Sequence, residues 1–121
     1  MKKINRLKKN HDIALIVQKK QRIYRDNYIV YYQYTESEVP KIAFSVSKKY
    51  GKAVERNKAK RRARSIIRSE LKKINKVNIV VVIKTTSKES FYEDLEKDLL
   101  YCIKTILLKQ PRGDKNENNK K

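Results

Sequence analysis

Seventeen residues from Lys48 to Arg64, KKYGKAVERNKAKRRAR, hold nine Lys or Arg and a single acid, Glu55. Side chains of one sign at this density repel one another, and a fold tolerates them where a polyanion supplies the opposite charge and releases its counterions. A solvated charge run is the ordinary explanation of such a stretch. It fails here because apolar residues recur at helical spacing through the run and beyond it, at Ala59, Ala63, Ile66, Ile67, Leu71 and Ile74. The segment is therefore expected to be an amphipathic helix, opened by Gly51 and ending near Lys73 to Lys76. At 3.6 residues per turn, Asn57, Arg61, Arg64 and Arg68 share a sector roughly 60° wide with Lys60 beside it. The apolar set falls on another sector, so one face docks on a sheet while the other presents guanidinium groups. Arginine forks bond two phosphate oxygens at once, whereas lysine is a mobile point charge, and the run mixes both.

With 32 Lys or Arg against 13 acids, the 121 residues carry a formal charge of +19. The length limits the chain to one small domain with one core. We expect that domain over residues 1–111, with 1–9 as a basic arm and 112–121 as a disordered polar tail. Cys102 is the single cysteine. It has no disulfide partner and no neighbouring metal ligands, which fits a packed thiol in a reducing compartment and excludes a zinc finger. No signal peptide is evident, and the longest apolar run, Ile79 to Ile83, is far too short to span a bilayer. A cytoplasmic location and no membrane partner are the expectation.

Asn10 or Asp12 can cap a short helix carrying Ile13, Ile16 and Val17. His11, the only histidine, reads as a solvated side chain. Tyr28 to Tyr34 (YIVYYQY) and Lys41 to Ser47 (KIAFSVS) are rich in aromatic and β-branched residues, with turn residues TESEVP between them, and are expected to pair as an antiparallel hairpin. In the second strand Ile42, Phe44 and Val46 alternate with Ala43, Ser45 and Ser47. The small, hydroxylated face either floors a groove or simply meets water. In the first strand Tyr31 lies opposite Tyr28, Tyr32 and Tyr34, so one tyrosine set is left partly exposed, as stacking on unpaired bases requires. Asn78 to Lys84 (NIVVVIK) has the composition of a central strand covered on both faces. A Ser90 to Glu93 capping box should open a last helix with Leu95, Leu99, Cys102, Ile103, Ile106 and Leu107 as its inner stripe.

The residues that catalysis would need are not visible. The acids Glu89, Glu93, Asp94, Glu96 and Asp98 scatter around the outer turns of the last helix, where solvation explains them. No Walker loop, GxGxxG, HExxH or GxSxG occurs, and two glycines cannot build a phosphate cradle. No catalytic residue, protein metal site or small-molecule substrate is expected.

The strand end, turn, glycine and basic helix, in register as SVSKKYGKAVERNKAKRRAR and preceded by Asn5-Arg-Leu-Lys-Lys-Asn10, resemble the protein subunit of bacterial ribonuclease P. The resemblance runs from the N-terminal motif through the last helix. It implies an α+β fold, an αββαβα sandwich with a central mixed sheet and a left-handed βαβ crossover, of the kind also seen in the second domain of ribosomal protein S5. It further implies that Arg56, Asn57, Lys60, Arg61 and Arg64, with Lys48, Lys49, Lys52, Lys58 and Arg68 of the same basic run, contact a catalytic RNA. Lys58 stands where the family motif has its second arginine, which keeps the charge without the fork. A cleft for the 5′ leader of precursor tRNA would be walled by Ile13, Val17 and Tyr31 and floored by Ser45 and Ser47. Ile13 and Val17 stand where the family commonly has phenylalanine and can pack on a base without stacking, leaving Tyr31 as the main aromatic contact. The implied activity is endonucleolytic removal of the leader by a ribonucleoprotein whose RNA carries the chemistry, with Mg2+ held mainly by that RNA. A structural RNA-binding module such as a ribosomal protein shares the charge and the helix without needing the cleft. A self-sufficient metal-dependent nuclease would need a clustered set of acids, and a membrane-surface peptide an aromatic apolar face.

Overall fold

The β-branched run in the second half of the chain organises the molecule. The structure, a computed structural model, describes Ile16 and residues 21–110. It contains strands β1 (Arg22–Tyr24), β2 (Tyr28–Tyr34), β3 (Lys41–Val46) and β4 (Val77–Ile83), and helices α1 (Ala53–Arg68) and α2 (Tyr92–Lys109). Short 3-10 turns occupy Lys48–Tyr50, Leu71–Lys73 and Thr85–Glu89. The sheet order is β1-β2-β4-β3, with β2 antiparallel and β3 parallel to β4. This is an α+β fold on a mixed four-stranded sheet. The expected basic arm 1–9, the expected first helix apart from Ile16, and the expected tail 112–121 lie outside the described residues.

β4 is central, as its composition implies; one face is fully buried, while on the other Val80 is buried and Asn78 and Val82 are half-buried. Val77, Ile79, Val81 and Ile83 join Tyr28, Val30, Tyr32 and Ile42 in a core closed by Ala59, Ala63, Ile66 and Ile67 of α1 and by Leu95, Leu99, Cys102, Ile103 and Ile106 of α2. Each such Ile or Leu contributes about 1.5–3 kcal/mol by leaving water. On the other face Val80 and Ala43 pack against Ile16, a helical residue only 2% exposed. Tyr34 ties the two layers together by donating its hydroxyl to the carbonyl of Ile106 at 2.7 Å.

The expected hairpin between Tyr28 to Tyr34 and Lys41 to Ser47 does not form. β4 lies between them, paired from Tyr28↔Ile83 to Tyr34↔Val77 on one side and from Lys41↔Asn78 to Val46↔Ile83 on the other. The reason is burial: the most apolar strand takes the position with two neighbours, and the sixteen-residue α1 is long enough to carry the chain back for a parallel pairing that a tight turn could not make. The actual hairpin is β1–β2, in register Arg22↔Tyr31 and Tyr24↔Ile29. β1 carried no recognisable strand signal, being three residues long.

Two element ends and one side chain also differ from expectation. α1 stops at Arg68, where Ser69 donates its hydroxyl to the carbonyl of Ile66 at 2.7 Å, and the Leu71–Lys73 turn, not a continuing helix, brings Ile74 into the core. The Ser90 to Glu93 capping box is absent: α2 starts at Tyr92, and Ser90 donates instead to Asn27 Oδ1 at 2.8 Å. Asp98 is not on a solvated turn. It is 9% exposed and accepts from Asn27 N at 3.2 Å and Asn27 Nδ2 at 2.9 Å, with Arg25 Nε 3.5 Å away, and so clamps the β1–β2 turn onto α2.

Candidate nucleic-acid interface

The junction between β3 and α1 sets the position of the first basic residues. Tyr50, only 2% exposed, anchors the Lys48–Tyr50 turn in the core, while Lys48, Lys49 and Lys52 remain exposed around it. Gly51 follows with φ +152°, a backbone conformation that glycine alone adopts without strain. A Cβ there would come within 2.6 Å of Glu55 Oε1. That carboxylate is engaged: Oε1 accepts from Lys52 N at 3.1 Å, covering a helix N-terminal amide, and Oε2 lies 3.1 Å from Lys88 Nζ. The backbone hydrogen bond from Lys52, with Lys88 beside it, holds the Glu55 carboxyl below its ordinary range. Lys88 Nζ also donates to the carbonyl of Tyr50 at 3.1 Å. The one acid of the basic run is thus a strut, which its isolation among lysines and arginines could have suggested.

Along α1 the apolar residues Ala59, Ala63, Ile66 and Ile67 turn inward and sort the charges around them. Asn57, Lys58, Arg61 and Arg68 are exposed, whereas Arg56, Lys60 and Arg64 are half-buried on one flank. Arg64 does not project straight outward: its guanidinium carbon sits 5.6 Å from the ring centre of Phe44 on β3. The stack fixes the flat guanidinium group against the sheet. Arg62 lies on the opposite flank, its Nη2 3.5 Å from the Tyr50 hydroxyl. The ten basic-run candidates, from Lys48 to Arg68, thus follow one another along the turn and the helix, seven of them exposed, Arg56 and Lys60 half-buried, and Arg64 stacked against the sheet.

The sheet face away from both helices carries the second group. Pairing places Tyr31 of β2 and Ala43 of β3 on either side of Val80, and Ser45 beside Val82. Tyr31 is half-buried and Ser45 exposed, with Ser47 exposed just past the strand end. Tyr31 and Ser45 thus share a face across one intervening strand, a strand-to-strand span of about 9.6 Å. Ile13 and Val17 lie outside the described residues. Ile16, from the same segment, is buried on this face against Ala43 and Val80. Sequence reasoning missed Arg22 and Tyr24 of β1, which the register puts on the same face as Tyr31. Their only signal was an alternation too short to weigh.

A family model described as Ribonuclease P matches residues 1–107. The chain belongs to the ribonuclease P protein family. It is 32% identical to the ribonuclease P protein component of Streptococcus agalactiae over 86% of this chain and 95% of that protein. It is 40% identical to that of Onion yellows phytoplasma over 89% and 79%. Among solved structures, the RNase P protein of Staphylococcus aureus superposes with a TM-score of 0.78 at 30% identity, covering 85% of this chain and 95% of that one. The RNase P protein from Thermotoga maritima gives 0.76 at 25% identity, covering 84% and 96%.

What this ribonuclease P family member offers chemically, in its described residues, is cation and aromatic surface. Among the described residues, no three His, Cys, Asp or Glu side chains cluster in a way that could hold a metal ion. Burial pushes the Cys102 thiol up to about 12, which keeps it protonated and unreactive in the core. No helix among the described residues is long and apolar enough to cross a membrane.

Proposed function

We propose that this chain is the protein subunit of a ribonuclease P ribonucleoprotein, which removes the 5′ leader of precursor tRNA by cutting one phosphodiester bond. The basic surface from Lys48 to Arg68 binds the catalytic RNA, and the open sheet face around Tyr31, Ser45 and Ser47 receives the leader, with Ile13 and Val17 as its remaining wall. The protein neutralises phosphate charge so that RNA and substrate can assemble, and it works in the cytoplasm without a membrane or small-molecule partner. Mg2+, held mainly by the RNA, would supply the activated water.

The observation that carries this reading is the family match over residues 1–107 joined to the juxtaposition of the two surfaces, since β3 bears Ser45 and runs directly into the basic turn and helix. A half-exposed tyrosine face on a sheet whose strand β3 leads into a cationic turn and helix suits an unpaired strand emerging from a folded RNA.

The test is cleavage of a precursor tRNA at low magnesium by purified protein, by the matching catalytic RNA and by the two mixed. Activity in the mixture, with none from the protein alone, is expected. Cleavage by the protein alone would overturn the assignment of chemistry to RNA, and an unstimulated RNA would favour a purely structural RNA-binding role.

A further inference from the structure

β1 is a three-residue edge strand, yet two of its residues are large and project away from the core. Tyr24 is 57% exposed. A smaller β-branched residue would serve pairing with β2 equally well, so the fold does not explain the choice. The geometry around it is specific. Arg22 pairs directly with Tyr31, and its guanidinium carbon lies 4.9 Å from the ring centre of Tyr24 and 5.9 Å from that of Tyr31. Arg22, Tyr24 and Tyr31 share one sheet face, so the cation sits between two tyrosine rings, which hold it in place through their negative faces.

We propose that Arg22 and Tyr24 extend the leader-binding face beyond Tyr31 and take a further unpaired nucleotide of the leader, upstream of the one that meets Tyr31. Tyr24 stacks on the base and Arg22 bonds the adjoining phosphate. This rests on the reading of Tyr31 as a leader-binding residue. The occupant follows from the chemistry of the patch: flat π-faces suit any base, the flanking cation suits a phosphodiester, and the platform continues the Tyr31 face without a break. Recognition through stacking predicts a gain in affinity that depends on leader length and on the presence of a base, and little on which base it is.

The experiment uses the reconstituted holoenzyme, this protein with its matching catalytic RNA, and precursor tRNAs whose leaders grow one nucleotide at a time. The wild type should gain affinity over mature tRNA at the length that reaches Tyr31, and gain again when the leader reaches β1. Tyr24→Ala and Arg22→Ala should remove the second gain, lowering the ratio of long-leader to short-leader affinity roughly ten-fold. Tyr24→Phe should retain it, and an abasic nucleotide at that position should abolish it in the wild type. A long-to-short ratio unchanged by Tyr24→Ala, while the wild type still distinguishes leader from mature tRNA, would overturn this extension alone. A wild type that ignores the leader altogether would overturn the leader-face reading beneath it.

Discussion

Gly51 and Asp98 show how single residues hold the elements of the candidate interface in place. At Gly51 the backbone occupies a region nearly closed to side chains, and the space a Cβ would fill belongs to the Glu55 carboxylate. Gly51→Ala should destabilise the protein by about 1–3 kcal/mol, measured as a shift in urea midpoint, and should weaken RNA binding by displacing the turn that bears Lys48, Lys49 and Lys52. Asp98→Ala leaves two Asn27 donors without their acceptor, a destabilisation of about 1–3 kcal/mol in the same measurement. Arg25, the third member of that cluster, is substantially exposed and adds little. Neither role could be read from composition. An aspartate on an amphipathic helix looks solvated until the β1–β2 turn, seventy-one residues away in the chain, is folded onto it.

Among the elements, α1 was the most legible. Its apolar period identified Ala59, Ala63, Ile66 and Ile67 as the buried stripe, because helix periodicity is a local property that survives any tertiary arrangement. Leu71 and Ile74 continued the same period through a turn, and periodicity alone does not say where a helix stops. Strand neighbours were far less legible: KIAFSVS and YIVYYQY each announced a strand, but which strands pair is decided by competition for the centre of the sheet, a non-local contest that NIVVVI wins. The candidate interface follows the same division. The outward face of α1 was readable from spacing, whereas the shared face of Tyr31 and Ser45 became visible only once β4 stood between them. For the helix face we expect Arg61→Ala and Arg68→Ala each to reduce the slope of log affinity against log salt by about 0.7–0.9 for each phosphate no longer neutralised, in titrations against the catalytic RNA. An unchanged slope would remove that residue from the interface.

For the molecule as a whole, stability should be limited at both ends of the pH scale by groups of opposite character. The Glu55 carboxyl is held below its ordinary value of 4.5, so its contribution is full above that pH and is lost as the solution becomes more acid. Cys102 and Tyr34 are raised by burial to about 12 from ordinary values of 9.0 and 10.0. Their neutral forms are favoured by the fold, so stability is full below about pH 9 and declines as pH rises toward 12. Thermal melts across pH should therefore show a plateau bounded on both sides, and Glu55→Gln should flatten the acid limb. The sheet order also has a consequence for synthesis. A ribosome delivers β2 and β3 well before β4, and although β1 can already pair with one edge of β2, its other edge and the whole of β3 stay unpaired until residues 77–83 have left the exit tunnel. Throughout that interval the growing chain displays a tyrosine-rich strand with an unfilled edge, the kind of surface that seeds self-association. The stretch translated meanwhile is the most strongly cationic in the protein, and its mutual repulsion would keep neighbouring nascent chains apart until the central strand arrives.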